Sequence, residues 1–413
     1  MRIIFHNPYN KNFFWQTFFW FITRNKMNQK TKKYLYLLEY LNKNNIKFWI
    51  YIDYNATSFP KNYKIFKNKY FIKIELFFWL LLKNIKRSNV VVIDDVNKIK
   101  KDDILISFSW ENLDTDYNGL DNIIDKEFLK LFHFTHYVQR TSLVAKNFFR
   151  LKWDYIIAEN NLSNIDYFLK FFKQYKKQVY QLPFQARDSF VNKVTFNNRK
   201  KIAISIGWLI DITWFEDLFD DLYNHYQERR LQPLRADILH DKKELFWIID
   251  TPSVPLKRWW IMDMVKMFFW MSKISKYYNF DMCDKFNEYQ MFLCCEEIWW
   301  LPGIWFVEWM ASWCAYIWKD DDMYRSIWLL PWIHYIWHNW TLEDIVNKIK
   351  YYQSHQEELE KIAKNGENFI NEHFRPDIIA EKFYNDLKNL SDNYKKCNYK
   401  KEKLIFNNSF ILK

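Results

Sequence analysis

Short apolar runs closed by turn residues alternate along the chain with stretches of helical spacing. Met1–Phe5 is apolar and bounded by His6, Asn7 and Pro8, which predicts a first buried strand. Lys32–Asn42 carries Leu35, Leu38 and Leu41 at helical spacing, and Ile46–Ile52 returns to a β-rich run. Asn89–Ile93, Ile104–Phe108 and Leu131–Tyr137 predict further strands. Strands alternating with helices in this way argue for an α/β fold with a parallel sheet covered on both faces. A second start follows Pro183: residues Asp188–Arg199 are polar, and Lys201–Ile206 is a clean apolar strand ending at Gly207. The reading is therefore a first domain over 1–194, a second over 195–392, and a basic, partly disordered tail over 393–413. Thr341–Tyr352, Glu357–Glu372 and Pro376–Leu390 read as closing helices, and no repeat of solenoid length is present.

At 413 residues the chain can bury two cores. No stretch reaches the roughly 18–20 apolar residues of a membrane span; Phe13–Ile22 and Ile74–Leu82 are the longest candidates. The opening Arg2-Ile-Ile-Phe5 does not read as a signal peptide, so the expected location is the cytoplasm. The five cysteines form no C-x-x-C pair, which argues against a disulfide framework or a zinc site. The net charge of +12 is spread along the chain, as on a solvated lysine-rich surface. It also allows peripheral attraction to an anionic membrane. No RNP, KH or zinc-finger signature points to nucleic acid.

Glycine and tryptophan counts change how the turns are read. The chain has 4 glycines and 22 tryptophans. Together these come near the roughly 29 glycines that about 7% usage would give. Ten tryptophans fall between Trp299 and Trp340, in segments that otherwise read as turns. Trp340 precedes Thr341, which looks like a helix N-cap with Asp344 three residues on. Trp313 follows an apparent helix end, where the left-handed backbone favours glycine. The pattern predicts that many of these tryptophans are glycine in the protein made by its own host, as when a UGA codon read there as glycine is translated as tryptophan. Trp49 and Trp153 are expected to be genuine. The alternative is an authentically tryptophan-rich chain.

The segment from Glu296 runs Glu-Glu297-Ile-Trp-Trp-Leu-Pro302-Gly303-Ile-Trp-Phe-Val-Glu308-Trp-Met-Ala311. With tryptophan read as glycine, it resembles the donor-binding motif of GT-B glycosyltransferases, especially glycosyltransferase family 4. The resemblance continues through Ile362-Ala-x-x-Gly366 and His373-Phe374. It implies two Rossmann-like domains with parallel sheets facing across a cleft, an acceptor domain followed by a donor domain. It also implies a nucleotide-sugar donor, a saccharide or glycolipid acceptor, and retaining chemistry in cell-surface polysaccharide or glycolipid synthesis. Glu308 is the candidate ribose carboxylate. Glu297 is the candidate for contact with the transferred sugar, although the spacing departs from the family pattern, which puts Trp300 in that slot.

A leaving nucleoside diphosphate gains charge, and without a metal it must be met by Arg or Lys and backbone N–H groups. Arg235 is the first candidate, with Lys242, Lys257 and Arg258 also available, and Gly207 and Gly303 would line the phosphate site. In the first domain His136 is the catalytic candidate, and His6 is a weaker one. Asp320-Asp-Asp322 reads as a solvated turn, so neither a metal nor any other cofactor is expected. The rival readings are a sugar-nucleotide epimerase or phosphorylase of the same fold, and a non-catalytic, basic, aromatic-rich protein that stacks nucleic-acid bases.

Overall fold

The apolar runs that open the chain become neighbouring strands of one parallel sheet. The computed structural model describes residues 1–6, 35–52, 69–108, 121–134, 139–215, 217–252, 254–256, 281–295, 297–299, 301–319 and 321–410. Contacts divide the chain into two units. The first, Met1–Leu182 with Ala380–Ser409, holds β1 (Ile3–His6), β2 (Phe48–Tyr51), β3 (Val90–Ile93), β4 (Ile104–Ser107), β5 (Leu129–His133), β6 (Tyr155–Ala158) and β7 (Tyr180–Gln181). Their order is β3-β2-β1-β4-β5-β6-β7, and every pairing is parallel. The order reverses between β1 and β4, the kind of switch point where α/β sheets bind ligands. Helices α1 (Leu35–Lys43), α2 (Lys69–Leu82), α3 (Thr141–Arg150) and α4 (Asp166–Phe172) lie between these strands in sequence.

The second unit, centred on Pro183–Ile379, repeats the principle. Its strands are β8 (Lys200–Ile204), β9 (Trp208–Ile210), β10 (Ile249–Asp250), β11 (Val254–Leu256), β12 (Tyr289–Leu293), β13 (Ala315–Lys319) and β14 (Ile336–His338). Five form a parallel sheet in the order β10-β8-β12-β13-β14, and β9 pairs in parallel with β11. Helices α5 (Asp220–Tyr226), α6 (Pro233–His240), α7 (Lys242–Leu245), α8 (Met282–Phe286), α9 (Trp305–Ala311), α10 (Asp322–Ser326), α11 (Leu342–Ser354) and α12 (Gln356–His373) follow in chain order. Ala203, Met291, Leu293, Ile317, Ile336, Ile345 and Leu359 share the core. Thr341 Oγ1 accepts the Asp344 backbone N–H at 3.2 Å and starts α11, as its spacing predicts.

Three expectations change. The strand read as Leu131–Tyr137 is Leu129–His133, and residues 135–138 lie outside the described ones. The stretch 393–413, read as a basic tail, is packed through much of its length. Helix α13 (Pro376–Lys396) runs to Lys396, and Leu404 and Phe406 are buried. Phe406 stacks on Tyr180 at 4.1 Å, and Tyr155 donates to the Leu404 carbonyl at 2.6 Å. Aromatic and aliphatic residues spaced among the lysines made this docking possible, and charge counting overlooked them. The expected division at residue 195 and the contact units also differ, because the chain returns to its first unit from Ala380 onward.

Among the described residues, four tryptophans adopt the left-handed backbone: Trp313, Trp328, Trp332 and Trp340, with φ of 58°, 72°, 65° and 78°. Trp313 and Trp328 sit one residue past the C-caps of α9 and α10. At α9, the Trp313 N–H reaches the Met310 carbonyl and the Cys314 N–H the Trp309 carbonyl. At α10, Trp328 reaches Arg325 and Leu329 reaches Tyr324. Both are paired Schellman closures, a position ordinarily held by glycine.

Candidate functional site

Strands β8 and β12 are adjacent and parallel, with Ala203 beside Met291 and Ile204 beside Phe292. Their carboxyl ends therefore deliver Ser205-Ile206-Gly207 and Cys294-Cys295 to the same edge of the sheet. Helix α6 begins with Pro233 in its first turn and presents Arg235, which is buried. Arg235 Nη2 donates to the Cys295 carbonyl at 2.9 Å. Its guanidinium lies against Gly207, where an added Cβ would come within 2.5 Å of Cζ. Gly207 also has φ +152°, so this position needs glycine for both backbone and space. Ser205 Oγ and Cys295 Sγ complete the contact at 3.2 Å. The two residues named separately from sequence, Gly207 and Arg235, thus form one feature.

Glu297 joins them through Gln232. Gln232 Nε2 donates to Glu297 Oε1 at 3.5 Å, while Gln232 Oε1 accepts the Ile210 N–H at 3.2 Å. The Leu231 N–H reaches the Ile210 carbonyl, and the Ile298 N–H reaches the Leu231 carbonyl, both at 2.8 Å. Three loops at the carboxyl edge are stitched together by these bonds. The arrangement holds a fixed, planar cation beside the buried backbone of Gly207, with a carboxylate one side chain away. Guanidinium and backbone N–H groups are the donors that diphosphates accept from.

Glu308, in the first turn of α9, is buried and paired with Arg187. Its Oε1 accepts from Arg187 Nε at 3.2 Å and Nη2 at 2.9 Å. Arg187 in turn lies 4.7 Å over the Phe190 ring, and Arg375 donates to its carbonyl at 3.1 Å. Sequence reading missed Arg187, because it sits in a polar connecting stretch with no pattern of its own. It also missed Arg199, which is buried and donates to the carbonyls of Ser312 and Trp313 at the end of α9. Gly303 lies just before α9 and is half-buried. Lys242 donates to the Thr251 carbonyl at 2.9 Å, and Lys257 and Arg258 lie outside the described residues.

The first unit gathers polar side chains at the carboxyl ends of its strands. His6 ends β1, is buried, and has Nδ1 3.2 Å from Ser107 Oγ at the end of β4. Its ring is 5.6 Å from that of Tyr51, which ends β2. His133 ends β5, and its Nε2 is 3.9 Å from Glu159 Oε1, just past β6. Gln181 Nε2, at the end of β7, donates to the Glu159 carbonyl at 3.4 Å. His136 lies outside the described residues. Ser107 and Glu159 were missed, although closing a predicted strand is the signal that would have found Ser107.

The family model described as Glycosyl transferase family 90 matches residues 316–403, from β13 past α13. No curated protein matches the chain. Among solved structures, the Anabaena protein HepE in complex with UDP is similar at a TM-score of 0.53 and 10% identity, over 94% of this chain and 100% of that one. The same protein with UDP and glucose gives 0.53 at 11%, over the same shares of each chain. A glycosyltransferase from Rickettsia africae ESF-5 gives 0.50 at 12%, over 94% and 98%. At such identities the likeness concerns the fold. The chain has the α/β fold with parallel sheets of the GT-B glycosyltransferases. That fold and the matched segment together support a glycosyltransferase.

Proposed function

We propose that this protein moves a sugar from a nucleoside-diphosphate-sugar donor to a saccharide or lipid-linked acceptor, without a metal and with retention of configuration. The carrying observation is the buried Arg235 guanidinium packed on Gly207 at the carboxyl edge of a parallel sheet. A negative charge developing on a leaving diphosphate is met there by a preoriented cation and by backbone N–H groups, with no reorganisation at the moment of bond breaking. In this reading Glu297, held by Gln232, faces the transferred sugar, and Glu308 serves the ribose with Arg187 fixing its carboxylate. The Gly303 turn lines the diphosphate, and His136 contributes from the first unit. The residues before α9 keep their family 4 resemblance as part of the proposal. A product destined for cell-surface polysaccharide or glycolipid places the enzyme in the cytoplasm, in peripheral contact with an anionic membrane.

Because HepE is described with UDP and with UDP-glucose, those two are the first probes. In the presence of EDTA, UDP and UDP-glucose should raise the melting temperature by mass action. Donor turnover should need an added saccharide or lipid-linked acceptor. Absence of any nucleotide-sugar binding sinks the proposal. Interconversion of the donor sugar without an acceptor assigns an epimerase instead, and rescue of lost turnover by magnesium or manganese removes the metal-free mechanism.

The same reading takes many tryptophans to be glycine in the native host. Its support is positional: two Schellman sites and two further left-handed residues carry tryptophan. Among the described residues, the buried indole N–H groups of Trp309, Trp313 and Trp318 also have no hydrogen-bond acceptor, but neither has that of Trp153, so the positional support carries the reading. Buried tryptophans usually find an acceptor. UGG codons at these positions in the gene would end this reading.

A further inference from the structure

Among the described residues, helix α2 carries apolar side chains on a buried face and on an exposed one. Leu76, Trp79 and Leu80 are buried. Tyr70, Ile74, Phe77, Phe78 and Leu81 recur at helical spacing and are 43–70% exposed. Val91 on the neighbouring strand β3 adds to the exposed apolar surface. Single exposed apolar residues need no explanation, but a stripe along a whole helix marks an interaction surface.

Charge decides what that surface meets. Residues 69–87 carry five cations, Lys69, Lys73, Lys83, Lys86 and Arg87, against one carboxylate, Glu75. The Arg87 guanidinium lies 5.8 Å over the Phe77 ring, so a cation borders the apolar stripe directly. Lys73, itself exposed, is 3.7 Å from the half-buried Asp94, and the exposed Lys86 donates to Asn45 at 3.1 Å. A second copy of this chain would set cations against cations, in a protein of net charge +12. A lipid surface with anionic headgroups accepts both the rings and the charges. Fourteen residues extend about 21 Å, short of the roughly 30 Å hydrocarbon core, so the helix can lie in the interface but not cross it.

We propose that α2 is the membrane-contacting element, lying in the interface of an anionic bilayer with Ile74, Phe77, Phe78 and Leu81 inserted and the flanking cations at the headgroups. This rests on the peripheral membrane contact of the proposed function, and it adds the element and the lipid chemistry. The test is co-sedimentation of the full chain with vesicles of phosphatidylcholine containing phosphatidylglycerol, and with phosphatidylcholine alone. The wild-type chain should bind the anionic vesicles about tenfold more tightly than the neutral ones, and high salt should remove most of that preference. Phe77→Gln/Phe78→Gln/Leu81→Gln should lose about tenfold on anionic vesicles while its melting temperature and its response to UDP stay unchanged. Lys83→Glu/Lys86→Glu/Arg87→Glu should abolish the preference for anionic lipid. Equal vesicle binding by wild type and the apolar variant overturns the proposal, as does no binding by the wild type. Concentration-dependent self-association lost in the apolar variant also overturns it, by assigning the face to a second copy. Vesicle binding is read independently of donor binding, so failure of the glycosyltransferase reading leaves this result interpretable.

Discussion

A guanidinium pressed onto a glycine backbone leaves no room for a methyl group. Gly207→Ala should push Arg235 away from the Cys295 carbonyl, since the new Cβ would sit 2.5 Å from Cζ and the φ of +152° disfavours alanine. The expected result is a loss of at least about 1 kcal/mol in stability, read by urea unfolding. Arg235→Lys keeps the charge but not the planar fork. It should weaken UDP binding by about 2 kcal/mol in calorimetry, the scale of a lost charge-assisted hydrogen bond. Unchanged affinity in a folded Arg235→Lys protein would remove this residue from the diphosphate site. Trp328 offers a second residue-level test, because it is left-handed and more than half exposed, so little packing is lost with its ring. Trp328→Gly should stabilise the protein by about 1 kcal/mol, whereas Trp328→Ala should recover much less of this, since alanine retains the Cβ that makes the left-handed region costly. Equal effects of the two substitutions would show that the backbone is not strained there.

One strand end carries a titrating group whose burial bears on stability. His338 closes β14, is buried, and accepts the Trp340 N–H on Nδ1 at 3.1 Å. Burial pushes its pKa down to about 4, with Lys348 and Lys319 acting in the same direction and Asp344 opposing them. The folded pKa therefore lies below the unfolded value of about 6.5. Between these values the unfolded chain binds more protons, so the contribution is complete above pH 6.5 and is lost as pH falls toward 4. By pH 5 the loss from this residue alone is about 2 kcal/mol. Urea unfolding at pH 7.5 and pH 5 should show that loss in the wild type, and a correspondingly smaller one in His338→Asn, whose amide oxygen can still accept from Trp340. An unchanged pH slope in the variant would rule His338 out.

At the scale of the whole molecule, the first unit is completed by residues far along the chain. Ala380, Phe383 and Leu387 line one cavity with Ile3, Phe5, Leu37 and Leu41. Tyr180 donates to Asp386 at 2.6 Å, and Tyr394 to the Glu127 carbonyl at 2.6 Å. Ending the chain after Ile379 should therefore expose the apolar side of α1 and β1. Calorimetry should show loss of the unfolding transition of the first unit, with that of the second retained. Two retained transitions would mean that residues 380–409 decorate the first unit without completing it.

Periodicity alone made the alternation of strands and helices legible, because a buried parallel strand and an amphipathic helix each write their burial into the spacing of apolar residues. The turn at Thr341 and the helix end at Trp313 were legible too, since capping is local chemistry. Glu308 and Arg235 could be singled out for their residue types and their places in the chain. Their partners could not. Arg187 is separated from Glu308 by 121 positions and Cys295 from Arg235 by 60, and no local pattern records such pairings. Strand order brought β8 beside β12 and so made Gly207, Arg235 and Cys295 one site. The return of α13 to the first unit, and the exposure of one face of α2 rather than the other, were likewise decided by tertiary packing. An apolar residue announces that it can be buried, and only the packed neighbours determine whether it is.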